Sequence, residues 1–94
     1  TSMMNDFHFD LFLSSCAGLE KDGSYEQTLE TMELKKLASS RSDKKFLLID
    51  KTKFGHAYLY RTNSLSDYDF IITNAEEDVI KEYASQENVH FVNR

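Results

Sequence analysis

The chain has 94 residues, of which 40% are hydrophobic and 29% charged, with a net charge of −5 at neutral pH. One core fits in that length and two do not. The acidic balance argues against a surface built for nucleic-acid phosphates, but leaves room for a small anionic ligand that needs only a local cation. Cys16 is the single cysteine, so an internal disulfide is excluded and a reducing, cytoplasmic setting is expected. No apolar run approaches the roughly 20 residues of a membrane span. The opening TSMM lacks the basic and apolar regions of a signal peptide. Residues 1–5 are expected to be vector-derived or disordered, and residues 1–94 to form one domain unit.

Residues 7–15, FHFDLFLSS, predict a strand. Phe7, Phe9, Leu11 and Leu13 share one parity and Phe12 has the other, which suggests a central place in a sheet. Residues 16–24, CAGLEKDGS, predict a loop with two glycines. Ser24 and Gln27 form an S-x-x-Q capping box. The helix it opens is expected to run to about Ser39, with Leu29, Met32, Leu37 and Ala38 inward and Leu34 widening the stripe.

Lys44 to Asp50 predicts a second strand, and HAYLYR (56–61) a short one. TNSLSD is rich in turn formers, and FIIT (70–73) predicts a short buried strand. Asn74 and Glu77 give an N-x-x-E start to a helix with Val79, Ile80, Tyr83 and Ala84 inward. Val89 to Val92 closes the chain as a strand. The alternation implies an α/β fold, with a mostly parallel sheet and flanking helices. Three loops then fall at the carboxyl ends of strands, Ser14–Ser24, Asp50–Gly55 and Thr73–Asn74, where open α/β sheets bind ligands.

Asp50, Lys51, Thr52 and Lys53 hold the densest chemistry. A carboxylate orients a sugar hydroxyl and a lysine neutralises phosphate as a point charge. The pattern by itself fits a solvated strand exit at least as well. Gly18 and Gly23 allow close backbone approach to a ligand, although the segment is not a Walker loop because no Gly-Lys follows. Glu26, Glu30 and Glu33, followed by Lys35 and Lys36, suit a solvated helix face and its dipole. Cys16 reads as a small buried thiol. His8, His56 and His90 lack metal-ligand spacing.

Taken in order, FDLFLSSCAGL, DGSYEQTLETMELKKLA, FLLIDKTKFG and LSDYDFIITN resemble the C-terminal sensor domain of DeoR/GlpR-type transcriptional repressors of sugar metabolism. In that family a strand ends in Asp-Ser-Ser-Lys-Phe-Gly and a later one in Ile-Thr-Asp. The resemblance implies a ribose-5-phosphate isomerase/CoA-transferase-like fold, of which this chain is the second half. It also implies a phosphorylated sugar effector, operator DNA bound only through an N-terminal part outside this sequence, and a binding module with no cofactor or catalytic residue; an exposed edge of half a sheet would let it pair with itself as a homo-oligomer. By motif, Asp50, Lys53, Phe54 and Gly55 match Asp-x-x-Lys-Phe-Gly, and Gly18 matches the glycine of the first loop. Glu33 and Lys35 fall where the helix charges lie. These residues are the implied ligand site. Lys51, Gly23-Ser24-Tyr25 and Asn74 depart from the family pattern. The alternative is a fragment of a sugar-phosphate isomerase-like enzyme, with Asp50 or Glu33 moving a carbon-bound proton.

Overall fold

The structure, a computed structural model, describes residues 8–84 and 89–93. Phe7 and residues 1–5 of the sequence-based expectations lie outside the described residues. The elements are β1 (Phe9–Ser14), β2 (Gly18–Glu20), β3 (Gly23–Glu26), α1 (Leu29–Ser40), β4 (Ser42–Ile49), β5 (Tyr60–Asn63), β6 (Phe70–Thr73), α2 (Glu77–Ala84) and β7 (Phe91–Asn93). Single 3-10 turns occupy Lys51–Lys53 and Leu65–Asp67. Among the described residues no helix is long and apolar enough to cross a membrane.

The fold is α/β. Four parallel strands lie in the order β1-β4-β6-β7, and β2, β3 and β5 form a separate antiparallel sheet. Along the parallel sheet the chain always moves in the same direction. Right-handed connections then all cross one face, and burial follows this rule. Leu47, Ile49 and Ile71 are buried in a cluster with Leu19, Leu65, Tyr68 and Tyr83 from the connections. The other face carries Leu11, Leu13, Phe46, Leu48, Phe70, Ile72 and Val92 in matched register. Of these, Leu13 is 58% exposed and Leu48 41%.

Several expectations are corrected. β1 is an edge strand of this sheet, not a central one. Apolar residues of both parities do not specify a central strand: Leu11 and Leu13 stay 47% and 58% exposed on one face, while Phe12 is half-buried on the other. The expected loop at 16–24 contains a hairpin, β2–β3. Ser24 does not cap a helix; it lies buried in β3, with its hydroxyl 2.8 Å from that of Tyr68. The true cap of α1 is Thr28, whose Oγ1 accepts the N–H of Thr31 at 3.2 Å. The expected inward stripe of α1 holds in part: Met32, Leu37 and Ala38 are half-buried, but Leu29 is exposed and Leu34 is 57% exposed, and Ser39 is the buried residue of the helix. The strand expected at HAYLYR forms at Tyr60–Asn63, where Thr62 rather than Leu59 is buried, and it joins the antiparallel sheet.

Other expectations hold. FIIT forms β6 over Phe70–Thr73. Val79, Ile80 and Ala84 are half-buried and Tyr83 is buried in α2. Nearby acids perform structural work. Asp67 Oδ2 accepts the N–H of Ser64 at 2.8 Å and supports the turn before β6. Asp69 exchanges two hydrogen bonds with Lys45, each of 2.7 Å, and pins the start of β6 to β4.

The two faces of the sheet make different predictions. Ile71→Ala removes fully buried atoms and is expected to cost about 2–5 kcal/mol in urea denaturation. Leu48→Ala is expected to cost less than half as much. Equal losses would contradict the assignment of the faces.

Candidate functional site

The carboxyl ends of β4 and β6 face each other across neighbouring strands. Residues 50–55 leave β4 there and residues 74–76 leave β6. Asp50 opens the 3-10 turn as its cap. Its Oδ2 accepts the Thr52 N–H at 3.0 Å and the Thr52 hydroxyl at 2.6 Å. Its Oδ1 accepts Nδ2 of Asn74 at 3.1 Å, while Oδ1 of Asn74 accepts the Lys51 N–H at 2.7 Å. One amide therefore clasps both the carboxylate and the backbone of the loop.

The far end of the loop is anchored differently. The Phe54 ring packs edge-on against Tyr83, with centroids 4.9 Å apart, and lies 6.2 Å from Phe91. Leu19 and Phe54 form a parallel bridge, and the Gly55 N–H donates to Leu19 O at 2.8 Å. Gly55 has φ +80°, a left-handed conformation that suits glycine. Between the anchors stand Lys51, Thr52 and Lys53, all exposed. Among the described residues no hydrogen bond or ion pair occupies the ammonium of Lys51 or Lys53. Clefts surround the two loops. One of about 270 Å³ is lined by Leu48, Ile49, Asp50, Thr73 and Asn74. Another of about 450 Å³ has Lys51, Thr52, Phe54 and Gly55 on one side and Val79 and Tyr83 on the other.

The remaining candidate residues separate. Gly18 is buried in β2, where an added Cβ would lie 2.2 Å from the carbonyl oxygen of His56; the glycine is required for packing against backbone. Glu33 and Lys35 are two positions apart on α1, so they point to nearly opposite sides. Glu33 is exposed. Lys35 lies on the inward side, and its Nζ donates to Glu26 Oε2 at 2.7 Å and to Ser15 O at 2.6 Å. Glu26 lies in β3, not on the helix, and its side chain is only 7% exposed. The pair closes the gap between α1, β3 and the end of β1. The sequence gives no sign of this for Glu26, which looks like a first-turn helix acid. Asn74 carried a visible signal in its position directly after FIIT, but it read as a helix cap. The clasp uses its side chain instead, and α2 begins at Glu77 with Glu76 O accepting the Ile80 N–H at 3.1 Å.

Electrostatics sharpen two of these roles. Burial, and then the Glu26 carboxylate, push the Cys16 thiol up to about 12. Cys16 therefore stays protonated and unreactive at neutral pH. The prediction is that it resists iodoacetamide at pH 8 in the folded chain and reacts in urea; rapid labelling of the native protein would contradict its burial. The Thr52 hydroxyl, then its N–H and the Asn74 amide, lower the Asp50 carboxyl from 3.8 to about 2. A folded value below the unfolded one stabilises the fold above pH 3.8, and that contribution is lost as pH falls towards 2. Asp50→Asn is accordingly expected to flatten the loss of stability between about pH 4 and pH 2, as followed by circular dichroism. An unchanged slope would contradict the clasp.

Comparison with known proteins matches residues 1–75 to the family model described as the DeoR C terminal sensor domain. Among curated proteins no match is found.

Proposed function

Because the chain belongs to the family of DeoR C terminal sensor domains, we propose that it recognises a phosphorylated sugar or related anionic metabolite, with residues 50–55 as the anion-binding loop. The observation that carries this reading is the pair of ammoniums, on Lys51 and Lys53, in one turn anchored at both ends beside the carboxyl edge of a parallel sheet. Open α/β sheets bind ligands at that edge. A turn already held by Asn74 and by Phe54 loses little freedom when the anion arrives. Lys53 takes the phosphate as a point charge and Lys51, the residue that departs from the family motif, adds a second.

Asp50 acts in this reading by positioning. Both of its oxygens already accept hydrogen bonds, so its main work is to shape the turn. Gly18 and Gly55 serve packing and turn geometry, and Phe54 anchors the loop. Lys35 supports the end of β1 through Glu26. An effector that binds one conformation of these loops more tightly biases the attached regulator towards it. Contact with operator DNA belongs to a separate part of such a regulator. The isomerase-like alternative needs a carboxylate free to move a carbon-bound proton. Asp50 is held ionised by its partners, and Glu33 is exposed on the far side of α1 from Lys35, so the geometry favours binding.

Titration calorimetry with ribose 5-phosphate, glucose 6-phosphate and glucosamine 6-phosphate tests the reading. For whichever binds, Lys53→Ala is expected to weaken affinity at least about tenfold, in the range of a lost charged contact. Lys51→Ala is expected to have a smaller effect, and Lys81→Ala, on α2, none. Unchanged affinity in Lys53→Ala would overturn the assigned role.

A further inference from the structure

We propose that Asn74 is the positioning residue of the anion loop, holding residues 50–53 to the end of β6 through a fork that needs a donor and an acceptor on one neutral side chain. This rests on the reading of that loop as the effector site. The fork needs a donor and an acceptor on one side chain. Nδ2 gives a hydrogen bond to Asp50 Oδ1 at 3.1 Å, and Oδ1 takes one from the Lys51 N–H at 2.7 Å. An ionised carboxylate at this position accepts but cannot donate. It would also set a second negative charge against Asp50, and two carboxylates that share a site cannot both ionise freely.

The residue that follows Asn74 is held from two strands. The Ala75 N–H donates to Thr73 Oγ1 at 3.1 Å, and Asn93 Nδ2 at the end of β7 donates to Ala75 O at 2.7 Å. Hydrogen bonds thus tie Asp50 to Asn74 along the carboxyl rim and, one residue on, Ala75 to Asn93. The Lys51 N–H is part of the clasp, and Lys53 follows two residues later in the same 3-10 turn. Moving the Lys51 backbone re-aims both ammoniums.

The charged groups around the fork are known. Asp50 and Lys51 come from the loop, and Glu76 and Glu77 border the adjoining cleft beside Asn74. Asn93 contributes a neutral amide from β7. Within the fork itself nothing titrates above about pH 4, because Asp50 is ionised there and Asn74 is uncharged. The clasp is therefore insensitive to pH in the neutral range. An Asp at position 74 would make it sensitive, since only the protonated acid restores the donor.

The test uses the full chain as wild type, Asn74→Asp and Asn74→Leu. The amide resonances of Lys51 and Thr52 are followed by nitrogen-edited NMR between pH 4 and pH 8. Binding of glucose 6-sulfate, whose charge is constant over that range, is measured in parallel. Each variant is compared with wild type at the same pH, which removes any pH effect common to both. The expected result is that N74D displaces both amides and binds the sulfate about fivefold or more weakly at pH 8. On approach to pH 4, where the introduced carboxyl begins to protonate, both readouts should return towards wild type, and N74L should stay impaired throughout. Wild-type amide positions in N74D at pH 8 would overturn the proposal. So would equal sulfate affinity in N74D and wild type, with the anion-loop reading left standing. If wild type binds no sugar sulfate or sugar phosphate, the anion-loop reading itself fails, and the positioning role fails with it.

Discussion

The parallel strands β1, β4, β6 and β7 stand in the sheet in the order in which the chain makes them, and right-handed connections between them all have the same face to cross. Much of the molecule follows from that constraint. The hairpin β2–β3, strand β5 and the turn at Leu65–Asp67 gather with α2 over Leu47, Ile49 and Ile71, and the core forms there. The loops that leave β4 and β6 emerge side by side at one edge. The opposite face keeps Leu11, Leu13, Leu48, Phe70 and Val92 exposed. Asp50 and Asn74 continue the parity of Leu48 and Ile72, which places them at the rim of that uncovered face.

The motif residues divide into those that build the loop and those it presents. Phe54 is bound to the core by Tyr83, and Gly55 supplies the left-handed residue that follows. Asp67 and Asp69 fix the entry to β6, and so fix where Asn74 emerges. Asp50 and Asn74 tie the two loops together. Lys51 and Lys53 then present ammoniums that take no part in the frame. A motif that looks like a list of ligands is mostly a frame that points two cations outward. This division is chemically economical, because a preorganised cation binds with less ordering cost than one on a free loop.

The parts of this arrangement that sequence makes legible are those set by strong local pattern. FIIT is a short apolar run between turn formers and forms the strand expected of it. Val79, Ile80 and Tyr83 recur at helical spacing and turn inward. Asp50–Gly55 is recognisable as a loop at a strand end. What is not legible depends on contacts between distant residues. Ser24 resembles a helix cap until its hydroxyl is seen against Tyr68, 44 positions away. Lys35 resembles a solvated charge until Glu26 turns out to lie in a strand beneath it. In α1 the periodicity places Met32, Leu37 and Ala38 half inward, but it misses that Lys35 and Ser39 share the buried side while Leu29 and Leu34 face outward. Asn74 fits a helix-start pattern, but a charged acceptor on the neighbouring strand captures its amide first.

The most direct test of the account is a chemical-shift map of the full chain titrated with a sugar phosphate. The account predicts that the largest changes fall on the amides of residues 50–55 and 73–76, with the Lys53 side chain moving alongside them. Saturable changes centred elsewhere, on the exposed face around Leu13 and Phe70 or on α1 around Glu33, would contradict it.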